Sequence, residues 1–259
     1  MNIVDTHAHL FLEEFTHDLP QVIQRARNAG VTRIFMPAID STTLKPLLEV
    51  CDAYPDYCFP MIGLHPTSVT DTFRQELAIV EAELDAARRY VAVGEIGMDL
   101  YWDKTYLKEQ QQALEMQINL ALQYNLPVVL HCREAFTYIY KVLEPYRHTA
   151  LRGIFHSFTG TIEDAAYIMQ YPGFLFGING VVTFKKSTLP EVLETIPLER
   201  IVLETDSPYL TPMPHRGKRN ESAHVRDVLY KVAEIYQTSP DKVAERTSTT
   251  ALEVFGKLR

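Results

Sequence analysis

The stretch Val4-Asp5-Thr6-His7-Ala8-His9-Leu10 decides between the folds open to this chain, because it ends the first apolar run with two histidines. Residues i and i+2 of a strand point to the same face, so His7 and His9 reach the same space where a strand ends. An open doubly wound sheet normally carries a glycine-rich turn after its first strand. This chain has a histidine pair there, which favours another α/β architecture. Taken alone, the pair is only weak evidence for a metal-binding site.

Eight short apolar runs recur along the chain and predict strands. They cover residues 1–5, 33–39, 58–63, 91–96, 127–131, 153–156, 174–178 and 200–204. Helical periodicity predicts helices at 17–29, 41–53, 72–89, 106–124, 134–146, 162–170, 189–196, 222–236 and 240–255. Alternating strands and helices build parallel sheets with right-handed crossovers. Eight repeats therefore predict an α/β protein with a single-domain TIM (β/α)8 barrel over residues 1–259, and an open doubly wound sheet is the alternative.

Composition narrows the class of function. The 259 residues carry a formal charge of -8, whereas a protein that coats nucleic acid non-specifically is normally basic. An enzyme that holds a few phosphates in a local pocket stays possible. Three cysteines without a CxxC pair fit a reducing compartment, and we see no secretory leader and no apolar run of membrane-spanning length. We therefore expect a cytoplasmic protein with no membrane association and no obligate protein partner.

Histidines and carboxylates gather where the predicted strands end, which is where the chemistry of such barrels lies. Strands one and eight are neighbours once a barrel closes, so we expect His7, His9 and Asp206 to hold one metal ion. His131 and His156 follow adjacent strands and would hold a second ion, with the Glu95 carboxylate bridging the two. Imidazole and carboxylate ligands suit Zn, Mn, Fe or Ni better than Mg alone.

Other residues near these strand ends have two interpretations each. Asp206 is a candidate catalytic base or a simple ligand, and Glu95 is the second candidate catalytic residue. We interpret four residues as candidate substrate contacts or else ordinary loop residues: His65, Arg133, Lys185 and Arg219. The run 215–219 is the densest basic patch in the chain and is either a nucleic-acid contact or a solvated loop. Tyr101 and Trp102 would either stack on a base or pack under their loop, and Asp5 and Glu204 would orient histidines.

Eight blocks of this sequence occur in the order found in the TatD family of metal-dependent hydrolases, which the chain therefore resembles. The blocks are DTHAHL, GLHP, GEIGMD, HCREA, FHSFTG, GINGVVTFK, ETDSPYL and GKRNE, and they run from residue 3 to about residue 221. The resemblance implies an amidohydrolase-like TIM barrel, two divalent metal ions (Mg, Mn or Zn) and 3′-5′ exonuclease action on single-stranded DNA. It implies the metal ligands His7, His9, Glu95, His131, His156 and Asp206. Ser222 departs from the family pattern, which usually has proline there.

Two other functions stay open at the level of sequence. An amidohydrolase acting on the C–N bonds of a small substrate would share the barrel and its histidines, but many such enzymes bridge their metals with a carboxylated lysine on strand four. This chain has Glu95 at that place. A protein with a purely structural metal site is the second alternative. It would be distinguished by ligands that close the metal, where a catalytic site keeps an open position.

Overall fold

Eight short parallel strands form the centre of the computed structural model, which describes residues 1–86 and 90–256. Each strand ends where its backbone ladder with the neighbouring strand stops, and none of the eight is longer than seven residues. The strands are β1 (Ile3–Asp5), β2 (Val31–Pro37), β3 (Cys58–Met61), β4 (Val93–Asp99), β5 (Val128–Arg133), β6 (Gly153–Phe155), β7 (Phe174–Ile178) and β8 (Ile201–Leu203).

Backbone hydrogen bonds close these strands into a barrel. One sheet has the strand order β1-β2-β3, and a second sheet has the order β4-β5-β6-β7-β8. Parallel bridges between Ile62 and Val93 and between Ala8 and Ser207 connect the two groups at both seams. The second seam includes a bond of 2.9 Å from the Asp206 amide to the His7 carbonyl. The predicted (β/α)8 barrel is therefore confirmed, and the open doubly wound sheet is excluded.

Nine α-helices lie in the described part of the chain. Most follow a strand and cover the outside of the barrel, as parallel strands require a crossover. The helices are α1 (Leu19–Asn28), α2 (Ser41–Ala53), α3 (Phe73–Asp85), α4 (Leu107–Gln123), α5 (Phe136–Leu143), α6 (Ile162–Met169), α7 (Leu189–Leu193), α8 (Val225–Ile235) and α9 (Pro240–Phe255). None of the described helices is long and apolar enough to cross a membrane.

The barrel interior is a packed core, and the last helix closes its amino end. One buried cluster combines a residue from each strand region with three residues of α9: Val4, Phe35, Phe59, Met61, Ala92, Val129, Ile154, Leu175, Val202, Ala251, Val254 and Phe255. The Ser248 hydroxyl of α9 donates to the Asn2 carbonyl at 3.0 Å, which fixes the helix beside the start of β1. The carboxyl ends of the strands are left open for side chains with other roles.

Local signals explain which predicted boundaries match the structure. Ser239 caps α9 by accepting from the Lys242 amide, Pro240 occupies the first turn, and Gly256 follows the helix with φ 77°. This arrangement of proline and glycine favours sharp helix ends. The predicted helix 72–89 ends at Asp85 in α3, and its residues 87–89 lie outside the described ranges. A single domain over 1–259 stays a prediction.

Candidate metal centre at the carboxyl end of the barrel

Strand alternation carries several polar side chains from the core to the mouth of the barrel. Val129 and Ile154 belong to the interior cluster, and His131 and His156 follow them by two residues. Glu204 stands in the same relation to Val202. Because residues two apart share a face, these side chains also face the barrel interior and meet just beyond its apolar core.

His7 and His9 meet the carboxylate of Glu95 in β4 and that of Asp206, which follows β8. Their Nε2 atoms are 3.2 Å apart, and the His7 Nε2 atom lies 3.1 Å from Glu95 Oε2. Asp206 Oδ1 lies 3.5 Å from His9 Nε2 and 3.6 Å from His156 Nε2. The rings of His7 and His156 stack at 3.4 Å. Four of these five side chains are buried, and Asp206 is partly exposed to the cavity.

Glu95 also contacts a second group of histidines through its other oxygen. Its Oε1 atom lies 2.8 Å from His131 Nδ1, 3.4 Å from His65 Nε2 and 3.7 Å from His156 Nε2. The carboxylate therefore lies between the two groups, with one oxygen toward each. This is the arrangement expected of a bridging ligand, and Glu95 is itself 2% exposed.

The donor atoms fit divalent cations. Three sets of ligand-type atoms each lie within 4.8 Å of one another, namely His7–His156–Asp206, His7–His9–Glu95 and His65–Glu95–His131. Two imidazole nitrogens that face each other at 3.2 Å cannot both keep a hydrogen between them. A cation bound by both lone pairs satisfies them together, and the mixed nitrogen and oxygen donors suit Zn, Mn or Fe.

The grouping of the ligands differs from the sequence-based expectation. His156 lies with His7 and Asp206 as well as near Glu95, whereas we expected it to pair with His131. His65, expected as a substrate contact, lies in the set with Glu95 and His131. The sequence placed His65 at the correct strand end, but distances across the barrel mouth depend on loop closure and cannot be read from spacing.

Buried charges in this cluster stabilise one another. Burial favours a higher pKa for Glu95, yet the neighbouring histidines, His156 first, hold its pKa well below the usual range. Burial also opposes protonation of His131, but hydrogen bonds with Asp99 and Glu95 raise the pKa of this histidine to about 9. Burial and the nearby His156 lower the pKa of His7 to about 4.

Outer contacts hold the histidine rings in place. Glu204 Oε1 lies 3.0 Å from His156 Nδ1, in agreement with the expected orienting role. Asp99, for which the sequence suggested no role, lies 2.9 Å from His131 Nε2. That contact leaves Nδ1 of His131 facing Glu95. Such outer partners fix the tautomer and direction of a metal-binding imidazole.

Asp5 acts on the backbone and not on an imidazole ring. Its carboxylate accepts hydrogen bonds from the Thr205 amide at 2.9 Å and from the Thr205 hydroxyl at 2.8 Å. Burial raises the pKa of Asp5 to about 7. The residue thereby joins the chain segments that carry His7 and Asp206, which differs from the expected contact with a histidine side chain.

A cavity of about 580 Å³ opens beside the cluster. Its wall includes His9, His65, Glu95, Asp99, Trp102, His131, Arg133, His156, Asp206 and Tyr209. Among the described residues of this wall, Arg133 is the one arginine or lysine. The ligand-type atoms are therefore open to a molecule of the size of a nucleotide, which is a property of catalytic and not of structural metal sites.

Two of the predicted substrate contacts lie apart from this cavity wall. Lys185 is exposed and is not among the described lining residues. Arg219 donates to both oxygens of Asp18 at 2.8 Å, and its guanidinium lies 4.6 Å above the Phe15 ring. Arg219 thus ties the loop after β8 to the start of α1. The basic run 215–219 gave no signal of this pairing, because Asp18 is 201 residues away in sequence.

A closed (β/α)8 barrel with histidines and carboxylates around a cavity at its carboxyl end defines a class, the metal-dependent hydrolases. Within that class the chain belongs to the family described as TatD related DNase, whose model matches residues 4–256. The resemblance found in the sequence blocks is thereby confirmed. The protein is a TatD-family metal-dependent hydrolase.

Individual relatives span nearly the whole chain. An uncharacterized metal-dependent hydrolase of Bacillus subtilis, YabD, is 38% identical over 254 residues, 98% of each chain. The protein of Pantoea ananatis named 3′-5′ ssDNA/RNA exonuclease TatD is 32% identical over 258 residues, 97% of this chain and 98% of its own. The crystal structure of the Escherichia coli TatD homologue YjjV superposes with a TM-score of 0.88 at 29% identity, covering 98% of this chain and 97% of that one.

Proposed function

We propose that this protein is a divalent-metal-dependent phosphodiesterase that shortens single-stranded DNA from its 3′ end. The observation that carries the proposal is Glu95, whose two oxygens face two groups of histidines at the floor of an open cavity. A shared carboxylate between two metal sites is typical of enzymes that displace groups at phosphorus. The names of relatives such as the Pantoea ananatis exonuclease support the substrate class.

The proposed ligands are His7, His9, Glu95, His131, His156 and Asp206, and His65 joins them on the geometry of its set. Two divalent ions, Mg, Mn or Zn, would supply Lewis acidity toward the phosphate and acidify water at neutral pH. Glu95 would hold both sites at a fixed separation. Asp206, partly exposed to the cavity, would orient the attacking water and accept its proton.

Arg133 would neutralise charge on the substrate from the cavity wall. Lys185 and Arg219 are not among the residues that line the cavity, so we do not propose that they contact the phosphate that is hydrolysed. The formal net charge of -8 fits an enzyme that binds one strand end in a pocket. We propose that it works in the cytoplasm and without an obligate protein partner. These statements rest on the same proposal.

The test uses single-stranded DNA labelled at one end or the other. Protein stripped of metal and resupplied with Mg²⁺, Mn²⁺ or Zn²⁺ should release a labelled mononucleotide from 3′-labelled DNA at once and shorten 5′-labelled DNA step by step. RNA of the same sequence serves as a second substrate. DNA that stays intact with every metal, together with metal-dependent hydrolysis of amide or small-ester substrates, would replace the nuclease by an amidohydrolase-type function.

Glu95→Gln tests the central role of the bridging carboxylate. The substitution keeps the size of the side chain but removes the negative charge that faces both histidine groups. We expect activity to fall at least about 100-fold and the number of bound metal ions per chain to fall below that of the wild-type protein. Metal content after dialysis is the second readout, and an active variant with full metal content contradicts the two-metal arrangement.

A further inference from the structure

Three side chains form a stack on the rim of the cavity, which we call the aromatic platform: Tyr101, Trp102 and Arg133. The Arg133 guanidinium lies 3.8 Å from the centre of the Tyr101 ring and 5.3 Å from that of Trp102. The two aromatic rings meet edge to face, with 4.9 Å between centroids and 87° between planes. Cation–π and edge-to-face contacts of this kind hold rings in defined orientations.

The backbone beneath the platform is fixed by several hydrogen bonds. The Asp99 carboxylate accepts from the Tyr101 amide at 3.0 Å, and the Leu100 amide donates to the Arg133 carbonyl at 3.0 Å. Asp103 accepts from both the amide and the hydroxyl of Thr105 just after the platform. Asp99 also contacts His131, so the same carboxylate connects the platform to the metal centre. The platform is therefore held at a set position relative to the ligands.

Apart from its contacts with Tyr101 and Arg133, the Trp102 ring is largely open to solvent. It is 71% exposed although it lines the cavity, and Tyr101 is 50% exposed. Tryptophan is highly buried on average in folded proteins, and a large exposed aromatic surface beside a cavity is typical of a binding site. Tyr209 lines the same cavity and is 51% exposed. This exposure does not fit the sequence-based interpretation in which Tyr101 and Trp102 pack under their loop.

We propose that the aromatic platform binds an unpaired nucleobase of the strand whose phosphodiester lies at the metal centre, with Trp102 as the stacking surface. The proposal rests on the phosphodiesterase function proposed above and adds a specificity-determining residue to it. Every base has a flat π-face, so stacking on Trp102 accepts any base sequence. A base inside a duplex has both faces covered by its neighbours, so the platform selects single strands. A strand that lacks bases loses this contact.

The single tryptophan of the chain makes the proposal measurable. Six-residue oligothymidylate with phosphorothioate linkages, which resist cleavage, is titrated into the metal-loaded protein while tryptophan fluorescence is recorded. The comparison ligand has the same backbone with abasic residues throughout. We expect oligothymidylate to quench the fluorescence and to bind about 10-fold or more tightly than the abasic strand.

Variants separate stacking from a structural role. Trp102→Ala should raise the KM for unmodified oligothymidylate about 10-fold, leave kcat within a few-fold, and abolish the preference over the abasic strand. Trp102→Phe, which keeps a ring, should retain most of that preference. Tyr230→Ala is the matched control, since Tyr230 is 41% exposed and pairs with Arg226 in a similar cation–π contact outside the cavity wall.

The outcomes distinguish the two proposals. Equal binding of both strands without quenching, in a protein that hydrolyses DNA, overturns the aromatic platform and leaves the phosphodiesterase standing. Quenching with a clear preference for oligothymidylate, in a protein that hydrolyses no nucleic acid with any metal, overturns the nuclease and supports a base-binding site. A kcat loss with unchanged KM in Trp102→Ala also contradicts the platform, because it indicates a disturbed metal centre.

Discussion

Gly177 illustrates how a single missing side chain sets the position of a buried carboxylate. Glu204 is fully buried, and a Cβ atom at Gly177 would lie 2.3 Å from its Oε2 atom. The Oε1 atom of Glu204 lies 3.0 Å from His156 Nδ1. The Ser157 amide donates to the same Oε1 atom at 2.6 Å. The carboxylate therefore has little room to move, and its contact with His156 depends on glycine at position 177.

Gly177→Ala should therefore weaken metal binding without unfolding the protein. Displacing Glu204 removes the partner that orients His156, and the loss of such outer partners typically costs about 10- to 100-fold in metal affinity. Calorimetric titration with Mn²⁺ or Zn²⁺ measures the change. Gly217→Ala is the control, because a Cβ there meets nothing within 4 Å and only its φ of 85° is strained. Equal metal affinity of Gly177→Ala and the wild-type protein would show that Glu204 does not orient His156.

His224 lies outside the metal centre and gives a pH-dependent stability. Burial first, and the ring of His215 stacked at 4.1 Å second, lower the pKa of His224 to about 4. The unfolded chain, with a histidine pKa near 6.5, binds more protons between pH 4 and 6.5. Protonation of the unfolded chain therefore lowers the free energy of unfolding as the pH falls from about 6.5 toward 4, and His224 has no such effect above about pH 6.5.

We expect the His224 ring to titrate near pH 4 by proton NMR. Relative to His224→Gln, the wild-type protein should lose stability over the same pH range, by up to about 1.4 kcal/mol per pH unit. Urea unfolding at several pH values gives that difference. A midpoint near the ordinary value of 6.5 would contradict the burial and the His215 contact.

At the scale of elements, an ion-pair network joins α1 to the segment that enters α8. Arg25 donates to the two oxygens of Glu221 at 2.7 and 2.6 Å and also contacts Asp18. The Glu221 side chain is 9% exposed, so removing its partner leaves a carboxylate with little solvent. This geometry differs from the usual exposed pair, which contributes little to stability.

Arg25→Gln should lower the free energy of unfolding by about 1–3 kcal/mol, because it leaves a largely buried carboxylate with a weaker partner. Lys45→Gln is the matched control, since Lys45 and Glu49 are 3.9 Å apart with side chains 85% and 66% exposed. Lys45→Gln should change the free energy of unfolding by no more than about 0.5 kcal/mol. Urea unfolding of both variants gives the comparison, and equal effects would mean that burial of Glu221 does not matter.

The helices and strands show how much of the fold could be predicted from the sequence. The bounds of β7, α2 and α9 match the predictions residue for residue, and α2 and α9 begin at residues with side-chain caps. The histidines that follow predicted strands indicated where the candidate metal centre lies. Side-chain alternation within a strand and the order of strands and helices can both be read from local sequence. The partners of His65 and Arg219 depend on contacts between segments far apart in sequence. No local pattern contains that information, and the exposure of Trp102 is hidden for the same reason.

For the whole molecule, the barrel separates stability at one end from chemistry at the other. The apolar interior lies between them, with α9 packed at the amino end and the histidine and carboxylate cluster at the carboxyl end. Phe255 of α9 stacks on Phe35 at 3.9 Å with 11° between the rings, and it is 6% exposed.

Phe255→Ala should lower the free energy of unfolding by about 3 kcal/mol, since it removes a buried ring and leaves a cavity against Phe35. Metal affinity and activity per folded molecule at 25 °C should stay within about two-fold of the wild-type values, because α9 packs on the interior cluster and the proposed ligands lie at the other end of the barrel. Urea unfolding and metal titration on the same preparation measure both quantities, and Phe255→Leu should show a smaller stability loss. Gly177→Ala is expected to give the opposite pattern, with weak metal binding and near-normal stability. If Phe255→Ala lost metal affinity in proportion to stability, the two ends of the barrel would be energetically coupled, and the separation argued from the interior cluster would be wrong.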